Sequence, residues 1–468
     1  MKGQEDLLNT NELFSTYEEL VDDGKVYYET GDLERLNLLM MCKSKKGAII
    51  MGPEGGGKTA LVRRFAQQNL SDIFETDSVK VIMLYDEFIS RCKEPKQAWS
   101  ELSELCKKYE NQSLILHAKF EEVNSIKAAM KLVNTYFDQI EDTYSLGFIK
   151  VIFEFSENSK EMPELESACS NTFEIFRIQM PQSLNEYVKV LRTKAKEFSE
   201  MYGIKKCSDS VVGYYIVVNA GSCRNMSNFN QVMMHFEKLF ALAKKKNQSS
   251  ITKELVREVF TDVFREISAT SKEETELKAY HEIGHTLFVL EDDFRELNYV
   301  TIIPGKFYGG VTTSYHNAKR PPAPNRESTI FEMAKSLAGR EAEKLVCTSY
   351  IPNMGASSDL EKAMNIAEDM LYHMGVSESF GDNYTASKDD YLSERLTEKI
   401  EREKAKLLKK AEETAHKEIC KHKDFVRKLS KLLLKKLVLT GDEVTKMWKE
   451  YLKKEKTNNS NNTAVENN

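Results

Sequence analysis

Two histidines four residues apart, with a glutamate directly after the first, form the pattern in this chain that points most directly to chemistry. The segment reads His281-Glu282-Ile283-Gly284-His285, which is HExxH. Residues four apart on a helix share one face, so both imidazoles can bind one Zn²⁺ while Glu282 faces its water. Zinc lowers the pKa of that water, and Glu282 would pass its proton to the leaving amine. The pattern predicts peptide hydrolysis.

A glycine-rich segment near the amino terminus carries a second chemistry. It fits GxxxxGK[ST] and consists of Gly52, Pro53, Glu54, Gly55, Gly56, Gly57, Lys58 and Thr59. Glycines let backbone N–H groups turn toward phosphate, Lys58 supplies positive charge, and the Thr59 hydroxyl can ligate Mg²⁺. An apolar run over residues 48–51 precedes the segment, and a helical pattern over 60–69 follows it. The order of strand, loop and helix predicts a site for ATP and Mg²⁺.

ATP hydrolysis also needs an acidic residue near Mg²⁺, and the sequence leaves its identity open. Asp86 and Glu87 follow an apolar run only 28 residues after Lys58, because 86 − 58 = 28, so this run is either the acidic strand or merely the second strand. A later run over residues 114–118 has Lys119 where an acid is wanted, with Glu121 and Glu122 displaced from it. Both pairs remain candidates.

Composition and charge limit the class of protein. The 468 residues are 41% hydrophobic and 30% charged, which predicts two or three folded domains. The net charge of −6 offers no basic field for a polyanion, so nucleic acid is not an expected partner. The amino terminus lacks a signal-peptide pattern, and the longest uncharged apolar stretch, residues 211–220, is about half of what a bilayer span needs. We expect a cytoplasmic protein with no direct membrane span.

The pattern along the chain predicts five segments. Residues 1–30 are expected to form a helical lead-in, and residues 31–182 alternate apolar runs with helical stretches, as a parallel α/β domain requires. Residues 183–267 have helical periodicity throughout, and residues 268–455 form a mainly helical zinc peptidase domain. The polar tail, residues 456–468, is expected to be disordered.

The zinc segment and four segments after it resemble the FtsH-type AAA+ zinc metalloproteases. Around the HExxH pattern the sequence reads KAYHEIGHTL, and the later segments follow in the family's order. They are VTIIP with GGVT (300–304 and 309–312), LAGREAE (337–343), GASSDL (355–360) and MGVS (374–377). Residues 31–264 resemble the ClpA-like and other AAA+ ATPases, specifically at the phosphate loop. The resemblance implies an AAA+-like α/β P-loop domain with a helical subdomain, followed by the peptidase domain.

The resemblance also implies roles that spacing alone does not assign. It supplies Asp359 as the third zinc ligand and makes Arg224 a candidate sensor for the γ-phosphate. It implies a homo-hexamer that acts on protein or peptide substrates. Apart from the resemblance, the carboxylates at Glu341, Glu343 and Glu361 are expected on solvated helix faces. The residues expected at the surface or in packing are His316, His373, His416 and His422.

The chain departs from the family in its motor motifs and in lacking the family's amino-terminal membrane anchor. We therefore expect a zinc endopeptidase, degrading unfolded or tagged intracellular proteins, in which ATP acts more as an assembly or gating switch than as fuel. Two alternatives stay open. One is a fully ATP-driven unfoldase-protease, and the other is a nucleotide-binding chaperone or scaffold whose zinc site is not catalytic.

Overall fold

The structure is a computed structural model, and it describes most of the chain. The described residues are 14–16, 30–92, 94–156, 165, 169, 172–178, 181, 183–222, 229–305, 308–319, 323–347, 357–374 and 394–466. By contacts the chain divides into two compact units. The first contains residues 1–181, 189–201 and 225–237, and the second contains residues 182–188, 202–224 and 238–468.

A six-stranded sheet forms the centre of the first unit. Its strands are β1 (Phe14–Thr16), β2 (Gly47–Gly52), β3 (Val79–Leu84), β4 (Ser113–Phe120), β5 (Ile149–Ser156) and β6 (Phe173–Arg177). Their order is β1-β3-β4-β5-β2-β6, and every pairing except that of β1 is parallel. The helices between them are α1 (Thr30–Met41), α2 (Lys58–Ala66), α3 (Leu70–Phe74), α4 (Asp86–Arg91), α5 (Pro95–Lys108) and α6 (Val123–Thr143). The α/β domain expected from the sequence is present.

Both faces of this sheet are buried, which explains why its strands are continuously apolar rather than alternating. On one face, Ile50, Ile115 and Ile152 pack with Leu61 and other residues of α2. On the other face, apolar side chains of the same strands pack against α5 and α6. Alternation along each strand therefore assigns even-numbered residues of β5 to the side of α2.

The prediction of a helical lead-in over residues 1–30 is wrong at residues 14–16. Residues Phe14–Thr16 form a strand that pairs antiparallel with β3, where a helix was expected. The physical reason is that β3 would otherwise leave one side of its backbone unpaired at the sheet edge. A three-residue strand is too short to produce a periodic pattern in the sequence.

Five helices follow the sheet, as the helical periodicity predicted. They are α7 (Leu184–Tyr202), α8 (Asp209–Ser222), α9 (Phe229–Lys245), α10 (Lys253–Val259) and α11 (Thr261–Ala269). Aromatic residues in this segment lie close together, since the rings of Phe198 and Phe236 are 6.2 Å apart and those of Tyr215 and Phe260 are 6.0 Å apart. The limits of the predicted domains remain predictions.

The carboxyl-terminal region is mainly helical, with one small antiparallel sheet. Its helices are α12 (Lys272–Glu291), α13 (Arg326–Glu343), α14 (Ser357–Tyr372), α15 (Glu394–Lys421), α16 (Lys423–Lys436) and α17 (Gly441–Glu466). Its strands are β7 (Arg295–Thr301), β8 (Val311–His316) and β9 (Val438–Thr440), in the order β8-β7-β9. Local sequence fixes two helix starts, because the Ser271 side chain accepts from the Glu274 N–H and Asn325 forms a capping box with Ser328.

Glycine allows α12 and α13 to pack at very short range. A Cβ atom on Gly284 would lie 2.3 Å from the carbonyl oxygen of Ala338, and one on Gly339 would lie 2.6 Å from the ring of His281. Neither position has room for a side chain. Around this contact, Ile283 and Leu287 pack with the residues of α16 and α17, while Phe288 packs with α13, α14 and α15. Helix α12 is therefore buried on several sides.

The structure also differs from the sequence prediction at the end of the chain. Residues 456–466, predicted to be disordered, continue helix α17. Extending a helix that has already formed adds one hydrogen bond for each residue that becomes ordered. A prediction from local composition does not include this contribution from the preceding helix. Across the described residues, no helix combines the length and apolar character needed to cross a membrane.

Candidate metal centre and nucleotide site

Helices α12 and α14 bring three predicted metal ligands together. His281 and His285 lie one turn apart on α12, and their Nε2 atoms are 3.1 Å from each other. The Oδ2 atom of Asp359, in the first turn of α14, is 3.1 Å from His281 Nε2 and 3.2 Å from His285 Nε2. The three donor atoms thus form a nearly equilateral triangle, and all three residues are partly exposed.

This triangle fits Zn²⁺ in size and in its donor atoms. Ligands at about 2.0–2.1 Å from a tetrahedral zinc lie about 3.3 Å from one another, close to the separations found here. The Nδ1 atom of His281 is 2.7 Å from Glu343 Oε1, and that of His285 is 2.8 Å from the Lys335 carbonyl oxygen. Both acceptors place the ring protons on Nδ1, so the Nε2 lone pairs face each other and a carboxylate. A cation satisfies that arrangement.

The charges around the ligands favour a cation in the same place. Burial lowers the pKa of His281, but hydrogen bonds to Asp359 and Glu343 outweigh it and raise the pKa to about 10. Burial raises the pKa of Asp359, but hydrogen bonds to His281 and His285 hold it far below its ordinary value. Without metal, the cluster therefore keeps a proton, and zinc binding must displace it.

Glu343 is a residue that the sequence analysis placed wrongly. The glutamates of α13 were expected on a solvated face, yet Glu341 and Glu343 are both 4% exposed. Glu343 contacts His281, whereas Glu341 pairs with Lys344 and lies 3.1 Å from His416 Nδ1. Residues two positions apart on a helix point in directions that differ by roughly 200° around the helix axis. The two carboxylates therefore contact different parts of the protein. The sequence did contain a signal for this role. Glu343 lies on the next helix along the chain after the helix that carries both histidines, and that helix has apolar positions that must be buried.

Glu282 lies beside the metal centre in a pocket that excludes most solvent. Its side chain is 7% exposed, and its Oε2 accepts a hydrogen bond from the Thr312 hydroxyl at 2.9 Å. A Cβ atom on Gly310 would lie 2.9 Å from Glu282 Oε1, so the loop before β8 covers the carboxylate closely. Burial raises the pKa of Glu282, with the charges of His285 and His281 acting in the opposite direction. A carboxylate with a raised pKa next to a metal-bound water suits proton transfer.

The phosphate loop has the geometry that its sequence predicts. Gly55 and Gly57 take positive φ angles of 72° and 87°, and Gly57 begins α2 without a side-chain capping bond. A Cβ on Gly56 would lie 2.9 Å from the Pro53 carbonyl oxygen. The Lys58 ammonium donates to the carbonyl oxygens of Gly52 and Pro53, at 2.9 and 2.8 Å. The loop therefore presents the start of a helix, which favours a bound phosphate.

Glu154 is the acid that contacts the predicted magnesium ligand, and the sequence analysis missed it. The Thr59 hydroxyl donates to Glu154 Oε2 at 2.9 Å, and His117 Nε2 lies 2.7 Å from Glu154 Oε1. Burial raises the pKa of Glu154, but His117, Lys119 and the Thr59 hydrogen bond together hold it below its ordinary value. The expected candidates, Asp86 and Glu87 with Glu121 and Glu122, all have exposed side chains.

Some predicted functional residues cannot be placed. Arg224, the candidate γ-phosphate sensor, lies outside the described residues. The same holds for Gly355 and Ala356 of the GASSDL segment and for residues 375–377 of the MGVS segment. Their roles remain predictions from resemblance.

A second cluster of potential metal ligands lies near the junction of α15 and α16. Glu291, Glu418 and His422 have donor atoms within 4.8 Å of one another. Lys421 lies 2.8 Å from Glu418 and 3.8 Å from Glu291, so an ammonium already offsets both carboxylates. His422 is 2% exposed and packs edge-on against Trp448, in agreement with its predicted packing role. We regard this cluster as structural.

Comparison with known proteins agrees with the geometry of the first cluster. The sequence profile of peptidase family M41 matches residues 268–447, which include all three ligands and Glu282. This part of the chain is therefore similar to the M41 peptidases. The matched residues lie within the segment 268–455 that the sequence predicts to be a zinc peptidase domain, and the similarity supports a metalloendopeptidase of the FtsH type.

Three curated relatives are named as ATP-dependent zinc metalloproteases FtsH. That of Caldicellulosiruptor bescii is 28% identical over 223 residues, covering 44% of this chain and 36% of the relative. FtsH 1 of Rhodopirellula baltica is 32% identical, covering 37% and 27%, and FtsH of Rickettsia felis is 31% identical, covering 43% and 33%. The matches therefore span about a third or less of these relatives' lengths.

A solved structure is also similar, at a lower level. It is described as the closed-state cryoEM reconstruction of Hsp104:ATPyS and FITC casein. It has a TM-score of 0.38 and 16% identity, and the similarity covers 57% of this chain and 48% of that chain. A TM-score this low does not assign a fold to the first unit. The description of that unit as a nucleotide-binding α/β domain depends instead on its parallel sheet and its phosphate loop.

Proposed function

We propose that this protein is a zinc-dependent endopeptidase coupled to an AAA+-like module that binds ATP and Mg²⁺. The observation that carries the proposal is the meeting of His281 Nε2, His285 Nε2 and Asp359 Oδ2 within 3.2 Å of one another, beside a buried Glu282. A structural zinc site needs ligands but no water activator, so the position of Glu282 favours catalysis.

When bound, zinc would supply a Lewis acid and a water of lowered pKa. The protein's own residues supply the rest. His281 and His285 would hold the metal through Nε2, with their rings oriented by Glu343 and by the Lys335 carbonyl. Glu282 would accept the proton of the attacking water and donate it to the leaving amine, while Thr312 holds one of its oxygens.

The proposed substrates are unfolded or tagged intracellular proteins, and the proposed assembly is a cytoplasmic homo-hexamer. Support comes from the chain's similarity to the M41 peptidases and to FtsH-type proteases. In this proposal ATP acts as an assembly or gating switch, since the acid that contacts Thr59 is Glu154, whose burial keeps water from its carboxylate.

The test is cleavage of unfolded casein in the presence of Zn²⁺, with phosphate release followed in parallel. Four conditions are compared: ATP, ADP, a non-hydrolysable ATP analogue and no nucleotide. We expect cleavage by the wild-type protein, equal support from the analogue and from ATP, and no cleavage by Glu282→Gln. Cleavage that requires hydrolysable ATP would identify a motor-driven protease instead. Protein without zinc after careful purification, or cleavage that survives Glu282→Gln, would contradict the peptidase proposal.

A further inference from the structure

A continuous set of contacts links the phosphate loop to the interior of the sheet. Thr59, in the first turn of α2, donates its hydroxyl hydrogen to Glu154 Oε2 at 2.9 Å. The other oxygen, Oε1, lies 2.7 Å from Nε2 of His117. Glu154 is 4% exposed and His117 is fully buried. The contact between His117 and Glu154 is at ion-pair distance but is not an aligned hydrogen bond. It lies in the sheet core, where a carboxylate with no partner would be costly.

The sheet order explains why these three residues meet. Strand β5 lies between β4 and β2, and Glu154 pairs in register with Ile50 of β2 and Lys119 of β4. Because side chains alternate along strands, His117, Lys119 and Glu154 share the sheet face that packs against α2. The last residue of β2 leads directly into the phosphate loop. Glu154 therefore lies one strand from that loop, with its carboxylate beneath the first turn of α2.

The direction of the Thr59 hydroxyl decides what Glu154 can do. A hydroxyl that ligates a cation through a lone pair must give its hydrogen to another acceptor. Glu154 Oε2 is that acceptor in the structure. We propose that Glu154, held in place by His117, is a positioning residue that orients the Thr59 hydroxyl for magnesium–nucleotide binding and does not activate water. The inference rests on the proposed binding of ATP and Mg²⁺ at the phosphate loop.

Burial of its carboxylate explains why Glu154 is not expected to activate water. A general base needs an oxygen that a water molecule can reach. One oxygen of Glu154 accepts from Thr59, the other faces His117, and the residue is almost fully buried. Lys119, in register with Glu154, adds attraction that keeps the carboxylate ionised in place. The site thus has the acid that helps to hold the magnesium–nucleotide complex, and that acid is closed to the water that hydrolysis requires.

The experiment measures how much Mg²⁺ tightens binding of a fluorescent ATP analogue to the full chain. For each variant the quantity is the ratio of Kd in EDTA to Kd with Mg²⁺. We expect Glu154→Ala to reduce this ratio by about tenfold or more, as for loss of a hydrogen bond to a charged group. Glu154→Gln retains an acceptor oxygen, so we expect a smaller reduction, of a few fold. Kd in EDTA should change by less than about threefold, because the phosphate loop itself is unaltered.

A double-mutant cycle separates positioning from general loss of stability. If Glu154 acts through the Thr59 hydroxyl, adding Glu154→Ala to Thr59→Val should not reduce the magnesium ratio further. Glu174→Gln, at an exposed strand position paired with Lys45, is the matched control and should retain the wild-type ratio. Glu87→Gln tests one of the acids that the sequence left as candidates and should also leave the ratio unchanged. Zinc content and thermal unfolding of every variant report on folding.

Several results would overturn the assignment. A folded Glu154→Ala variant with a ratio within twofold of wild type would show that Glu154 does not orient Thr59. Wild-type ATP turnover abolished by Glu154→Gln would show that Glu154 activates water. A fall in the ratio with Glu87→Gln would support Glu87, one of the candidates from the sequence, in place of Glu154. Failure of wild-type protein to bind the analogue, with no difference from Lys58→Ala, would instead reject the proposed ATP site itself.

Discussion

Substituting Glu343 tests whether the contact behind a zinc ligand sets the strength of the metal site. Glu343 Oε1 lies 2.7 Å from His281 Nδ1, and the residue is 4% exposed, so water replaces the contact poorly. Partners of this kind typically contribute 10–100-fold to metal affinity, which corresponds to about 1.4–2.8 kcal/mol. We expect Glu343→Gln to weaken zinc binding by about that factor while the protein remains folded.

Helix α13 offers a matched control for this substitution. Glu341 is equally buried and lies two residues away, but its contacts are Lys344 and His416 rather than a metal ligand. Zinc affinity would be measured by competition with a fluorescent chelator, beside thermal unfolding of each variant. Glu341→Gln should keep wild-type affinity. The reasoning is refuted if Glu343→Gln binds zinc within twofold of wild type, or if both variants lose affinity equally.

Four further outcomes are expected for the metal-binding domain. Glu282→Gln should retain zinc but lower the rate of peptide cleavage by about 10²–10⁴-fold, as measured by a fluorogenic peptide assay beside metal analysis. Gly339→Ala should lose zinc and melt at a lower temperature, because its Cβ would lie 2.6 Å from the His281 ring, whereas Gly213→Ala, with 3.7 Å to its nearest neighbour, should melt no lower than wild type. Zinc affinity should rise about tenfold per pH unit through the neutral range, because the pKa of His281 in the metal-free protein is raised to about 10 and binding must release that proton. The raised pKa also stabilises the metal-free fold below about pH 6.5 and stops doing so as pH rises through about 10, so unfolding temperatures of apo-protein should fall over that interval. A flat pH dependence of zinc affinity would contradict the proposed charge state.

Short-range patterns in the sequence were sufficient for the parts of the sites that lie within one helix or one loop. His281, Glu282 and His285 are related by helix pitch, and the phosphate loop is related by backbone geometry, so spacing predicted both. Asp359 lies 74 residues beyond His285, and only the family resemblance selected it. Composition likewise predicted the buried parallel sheet, because strands covered on both faces must be continuously apolar.

The residues missed from the sequence depend on contacts between distant segments. Glu154 lies 95 residues after Thr59, and their contact depends on β5 being placed beside β2. Hydrophobic periodicity within a strand does not indicate which strands are neighbours in the sheet. His117 was counted as part of an apolar run, because alternation assigns a residue to a face but does not say what lies across it. Glu343 was assigned to solvent because helical charge is usually exposed, although α13 is packed by three neighbours.

The spacing of the zinc ligands along the chain has a consequence for the lifetime of the protein. A metal held by His285 and Asp359 closes a loop of 74 residues, and a cross-link of that length removes about 4 kcal/mol of conformational entropy from the unfolded chain. The same ion would therefore act as a clasp between α12 and α14. Loss of zinc would release both helices from each other, so the supply of metal would govern how long the domain survives as well as whether it cleaves.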